Sequence, residues 1–87
     1  MPRISQFSGM DIYVYGRDHN PPHFHVRMNN QPICSITIRT GEVLEGELAR
    51  NLLQDAQDWC NHNREALMTA WENIRAGLHP DQIPPLG

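Results

Sequence analysis

The strongest constraint on this chain is a change of hydrophobic period near its middle. From Asp11 to Arg39 apolar and polar side chains largely alternate, whereas from Leu48 to Leu78 the apolar ones recur at helical intervals. Alternation sends successive side chains to opposite faces of a strand, and a spacing of three to four makes one stripe along a helix. A chain of 87 residues that reads first one way and then the other must pack helices on a sheet.

The front half divides at its turn residues. Residues 11–15 alternate, residues 16–22 read as a turn, and residues 23–28 alternate again before Asn29-Asn30, a strong hairpin signal. A third strand is expected over residues 33–39, then a turn at Thr40-Gly41 and a short fourth strand at Val43-Leu44. In the back half Leu48, Leu52, Leu53, Ala56, Trp59 and Cys60 form one apolar stripe, and Leu67, Trp71, Ile74 and Leu78 form a second. Both tryptophans read as core anchors. Asn63 is placed to cap the start of the second helix and Gly77 to end it. The expectation is one α+β domain, an antiparallel sheet of three to four strands with two C-terminal helices packed on one face. Residues 1–46 are expected to be mainly β meander, 47–78 two helices, and 79–87 an extended proline-rich tail.

Composition narrows the class. Hydrophobic residues are 39% and charged residues 20% of the chain, a balance that suits a folded protein rather than a disordered one. No apolar run is long enough to span a membrane, and residues 1–6 lack the apolar stretch of a signal peptide, so a cytoplasmic protein is expected. Cys34 and Cys60 lack metal-finger or redox spacing and fall in apolar stripes, which favours buried free thiols over a zinc site completed by histidine. The net charge of −3 is unevenly spread, +2 over residues 1–40 and −5 over residues 41–87, and every basic residue is arginine. Arginine offers a bidentate fork to phosphate or carboxylate.

Three of the five histidines lie in the run Asp18-His19-Asn20-Pro21-Pro22-His23-Phe24-His25-Val26-Arg27, where two prolines stiffen the turn. Alternation gives Ile12, Val14, Phe24, Val26, Met28, Cys34, Ile36 and Ile38 to the helix-covered face. Tyr13, Tyr15, His23, His25, Arg27, Ser35, Thr37 and Arg39 are left on the other, with Asp11 as its only expected carboxylate. Two imidazoles can act as acid and base, guanidinium groups can hold phosphate, and tyrosines can stack on bases or donate protons. Such a set suits metal-independent cleavage of RNA; equally, an exposed antiparallel sheet ordinarily carries polar and amphipathic residues. His19, His23 and His25 form an alternative metal-ligand set. His62 and His79 read as surface residues near helix ends, and Ser35 and Thr37 lack the neighbours of a serine hydrolase.

The Asp-His-Asn-Pro-Pro-His-Phe-His core at residues 18–25, the run Thr40-Gly41-Glu42-Val43-Leu44-Glu45-Gly46, and Trp59 and Trp71 resemble the bacterial family called domain of unknown function 4160. The opening residues 2–9 are also similar to that family's start. The resemblance implies a small protein whose gene lies beside that of a second short protein, a layout like that of toxin–antitoxin pairs. It transfers no catalytic residue.

The function expected is one component of a two-protein, toxin–antitoxin-type module acting on RNA. His23, His25, Arg27 and Tyr15 are the catalytic candidates, and Tyr13, Arg39 and His19 the binding candidates. RNA and a small protein encoded nearby are the candidate partners, an oligomer is allowed, and no cofactor is expected. The competing readings are a non-enzymatic interaction module, using a sheet edge and the Ile83-Pro84-Pro85-Leu86 tail, or a histidine-rich metal-binding protein.

Overall fold

A computed structural model describes residues 3–17 and 19–86. The chain forms β1 (Arg3–Phe7), β2 (Met10–Tyr13), β3 (His23–Met28), β4 (Gln31–Thr37) and β5 (Val43–Gly46), then α1 (Arg50–His62) and α2 (Arg64–Arg75). The strands pair antiparallel in the order β1-β2-β3-β4-β5. The class is therefore α+β, as the change of period required, but the sheet has five strands rather than three to four.

The additional strand is β1. A bulge between Arg3 and Ser5 leaves both Ile4 and Ser5 buried, so its apolar positions fall at Ile4 and Phe7 and the period of two is lost. The turn that joins β1 to β2 is built from Ser8 and Gly9 at φ 53° and 76°. Asn29 and Asn30 repeat that device at φ 52° and 62°, the left-handed pair that matches the twist of a tight hairpin. β2 ends at Tyr13, short of the expected residue 15.

The helix-facing side of the sheet is as alternation requires: Ile12, Val14, Phe24, Val26, Cys34, Ile36 and Ile38 are all buried. Trp59 of α1 is the centre of this core, with its ring 5.1 Å from that of Phe7 and 5.6 Å from that of Phe24. Ala56 and Cys60 flank it, and Leu67, Ala70 and Trp71 are the buried stripe of α2. Among the described residues no helix is long and apolar enough to cross a membrane.

Asn63 does sit between the helices, but its side chain does not cap the second. Its Nδ2 donates to the Trp59 carbonyl at 2.9 Å and its backbone N–H to Cys60 at 3.2 Å, so it satisfies the end of α1 instead. Gly77, at φ 80°, ends α2 with the paired bonds Leu78 N–H to Asn73 O and Gly77 N–H to Ile74 O. The tail is extended and returns to the sheet. Ile83 N–H donates to Ile4 O at 2.7 Å, the Ile83 side chain is buried, and the Trp59 indole N–H donates to Pro84 O at 2.8 Å. The outer edge of β1 is thus covered by the chain's own end.

Candidate functional site on the open sheet face

Strand register assembles the face opposite the helices in three rows. The middle row runs Arg3, Tyr13, His25, Ser35, Glu45 across all five strands. One row below it lie Gln6, Asp11, Arg27 and Pro32. One row above, His23 faces Thr37, with Tyr15 just past the end of β2.

The side chains of these rows touch through their rings. Tyr13 and Tyr15 are stacked at 6.0 Å, Tyr15 lies 4.5 Å from His25, and His25 lies 5.1 Å from His23. His23 in turn is 5.2 Å from Trp71, over whose ring the Arg75 guanidinium sits at 5.2 Å. At the other end the Arg27 guanidinium lies 5.9 Å from the Tyr13 ring and donates to Asn30 O at 2.8 Å. The result is a continuous run of five rings with an arginine at each end. Aromatic faces attract cations, so each guanidinium has a favourable seat. Arg3 and Asp11 form an exposed ion pair at 3.3 Å, an interaction worth at most about 1 kcal/mol.

The two histidines of β3 differ. His23 is buried, and its Nδ1 lies 2.7 Å from the carbonyl of Pro21, which follows a cis Asn20–Pro21 peptide. A carbonyl only accepts, so Nδ1 is the donor and the ring is fixed between the turn and Trp71. His25 is half-buried in the middle row, as are Tyr13, Tyr15 and Arg27 around it.

The remaining candidates lie elsewhere. His19 is exposed in the turn. Arg39 is exposed beyond β4, and it lines a hollow of about 470 Å³ with Asn20, Pro22, Trp71, Glu72 and Arg75. Asp18, a further ligand candidate, is outside the described residues. Among the described residues no three histidine, cysteine, aspartate or glutamate side chains gather in a way that could hold a metal ion, the set His19, His23 and His25 included.

Glu45 is a site residue that alternation could not find. Val43 pairs with Ile36 in a core row, so strict alternation would send Glu45 to the same side. A bulge at Leu44 inserts one residue, and Glu45 pairs with Ser35 in the open middle row instead. Asp11 is therefore not the only carboxylate on this face. A second irregularity, between Val26 and Arg27 in the pairing of β3 with β4, lies on the other side of Ser35. Between them is a depression of about 280 Å³ lined by His25, Pro32, Ile33, Cys34, Ser35, Glu45 and Gly46. Its rim admits only glycine at position 46: φ is 82°, and a Cβ would come 2.2 Å from the Ile33 carbonyl oxygen.

The cysteines supply no nucleophile. Burial pushes the Cys34 thiol up to about 11. Burial also raises Cys60, against a smaller opposing effect from the charge of Arg64. Both are free thiols, and Cys60 Sγ donates to Ile38 O at 3.4 Å. A protonated thiol is a poor nucleophile and a poor metal ligand. What remains is a face with imidazole, carboxylate, guanidinium and phenol groups around a shallow depression, suited to proton transfer and to holding a flat or anionic ligand.

Comparisons with curated proteins and with solved structures gave no match. A family model described as Domain of unknown function (DUF4160) matches residues 9–72, from the first hairpin turn into α2 and across every residue of the middle row except Arg3; the chain belongs to that family.

Proposed function

We propose that this chain is one component of a two-protein module of toxin–antitoxin type, and that it acts on RNA through the open face of its sheet. The observation that carries this reading is the run of rings from Tyr13 to His23 with Arg27 at its end. Bases stack on aromatic side chains, at about 1–3 kcal/mol per base, and guanidinium groups pair with phosphate. Half-buried rings with a fixed arginine at one end therefore suit single-stranded RNA better than a duplex, whose bases are hidden. In this reading Tyr13 and Tyr15 stack, Arg27 holds a phosphate, and His25 exchanges a proton with the ligand. His23 fixes the His25 ring, while His19 and Arg39 extend the path of the RNA backbone past the turn.

The cognate small protein would meet the outer edge of β5. Among the described residues no strand pairs with that edge, and Leu44 there is 40% exposed. Glu42, Glu45 and Glu47 around it favour a basic strand from the partner.

Binding of a labelled single-stranded RNA, titrated between about 50 and 200 mM salt, tests the RNA reading. Affinity should fall steeply with salt; Arg27→Ala should lower the salt slope by about 1, and Tyr13→Ala should weaken binding about tenfold or more. Binding that ignores salt, or that survives loss of both Arg27 and Tyr13, removes this function.

A further inference from the structure

We infer that Glu45 and His25 are the acid–base pair of a metal-independent RNA transesterification, working across the depression above Ser35. This rests on the RNA reading above and adds the reaction and a catalytic residue to it. The expected pair was His23 with His25, but His23 is buried and its Nδ1 is committed to Pro21 O. Glu45 takes the second place by geometry.

His25, Ser35 and Glu45 are successive members of the middle row. Neighbouring strands lie about 4.8 Å apart, so the backbones at His25 and Glu45 are roughly 10 Å apart with one strand between them. Both residues line the same depression, with Ser35, 4% exposed, between them in the row. A proton-transfer group must come within about 3 Å of its target. Two groups reaching in from opposite walls leave room for one phosphodiester between them. The depression is a built feature: two sheet irregularities flank it, one of them turning Glu45 onto this face, and Gly46 keeps its rim open. Bulges commonly re-aim a side chain beside an active site.

The chemistry balances with these two groups alone. The Glu45 carboxylate takes the proton of the ribose 2′-hydroxyl, and the 2′-oxygen forms a bond to phosphorus. The bond from phosphorus to the 5′-oxygen breaks, and the protonated His25 imidazole gives that oxygen its proton. The products are a 2′,3′-cyclic phosphate and a 5′-hydroxyl, leaving a protonated Glu45 and a neutral His25 that exchange with water. Arg27, two residues from His25 on the same face, is placed to hold the adjoining phosphate.

The test is single-turnover cleavage of a labelled single-stranded RNA by saturating full-length protein in chelator-containing buffer, with RNA binding measured in parallel. Cleavage should yield 2′,3′-cyclic phosphate ends and should stop when the scissile ribose is 2′-deoxy. Glu45→Gln and His25→Asn should each slow the step about 100-fold or more at unchanged melting temperature, and Asp81→Asn, on the exposed tail, should not. Glu45 is exposed, so its variant tests the step even if the His25 variant is less stable. Cleavage that persists in Glu45→Gln overturns the pair. RNA that is bound with the expected salt slope but never cut also overturns it, and leaves the RNA reading standing. RNA that is not bound at all overturns both.

Discussion

The two faces of this sheet obey the same alternation and end in different physical states. On the helix side the inward residues Ile12, Val14, Phe24, Val26, Cys34, Ile36 and Ile38 are apolar and fully or nearly fully buried, with Met28 partly so, and they form one core with Trp59, Leu67 and Trp71. On the open side the contacts run sideways, ring to ring along Tyr13, Tyr15, His25 and His23, and His23 meets a helix residue, Trp71, at the end of the run. The first arrangement removes apolar area from water and stabilises the fold. The second removes less, and orders polar groups at fixed separations. A face that stabilises by burial tolerates little change, whereas a face that only orders its groups can be altered with its cost read in binding and chemistry.

The sharpest way to break that comparison is to cut the centre of the covered face. Trp59→Ala removes the ring that packs on Phe7 and Phe24 and the indole N–H that holds Pro84. It should cost about 3–5 kcal/mol, a large share of the stability of a domain this small. Tyr13→Ala on the open face, where the ring is only half-buried, should cost less than half as much in the same denaturant titration. Equal losses would mean that the open face belongs to the core after all. The extended tail should be affected with Trp59, because Ile83 and Pro84 dock on β1 and on that indole, and protease cleavage after residue 78 should accelerate in the variant.

Alkaline pH separates the faces through Cys34, whose thiol looks into the covered side. Its folded value is raised from 9.0 to about 11, so between those values the unfolded chain loses a proton that the folded chain keeps. The unfolded state then binds fewer protons, and stability falls as pH rises through that window, after being fully present below it. The loss should be on the order of 1–3 kcal/mol, and Cys60 adds to it in the same direction. Denaturation midpoints across that range check this, with Cys34→Ala expected to be less stable at neutral pH but to have a flatter profile. An unchanged slope in that variant would locate the alkaline transition elsewhere.

The sequence made one of these faces far more legible than the other. Burial on the helix side follows from alternation and helical spacing, which is why Ile12, Val14, Phe24, Val26, Cys34, Ile36 and Ile38 were identifiable before any coordinates. Alternation also assigns His25, Tyr13 and Arg27 to the open face, where they lie, since β2 and β3 pair there without a break in register. What alternation could not reach lies at bulges and long-range contacts. Ile4 and Ser5 hid β1, Leu44 hid Glu45, and Trp71, legible as a core residue, gave no sign that it would also meet His23. Arg39 lies outside the row because β4 ends at Thr37 and Arg39 falls in the turn before β5, beside Trp71, Glu72 and Arg75 of α2. Asn63 was located by residue type, but which helix it serves depends on a one-residue junction that pattern does not resolve.

The smallest effect tests the covered face at its one polar exception. The Ser5 hydroxyl is buried by the β1 bulge, and among the described residues it is the one buried side-chain polar atom without a hydrogen-bond partner. Leaving a buried hydroxyl unpaired costs roughly 1–3 kcal/mol of desolvation, and alanine fills nearly the same space without that cost. Ser5→Ala should therefore raise stability, by about 1 kcal/mol once the lost oxygen's packing is counted, and the denaturant midpoint should move up at constant slope. Ser35→Ala is the counterpart on the other face, where the residue lines the depression between His25 and Glu45. It should shift stability by less, in either direction, and show its effect in RNA handling instead. If Ser5→Ala destabilises, its hydroxyl has a partner in solution, and the covered face is wetter at the bulge than its apolar rows require.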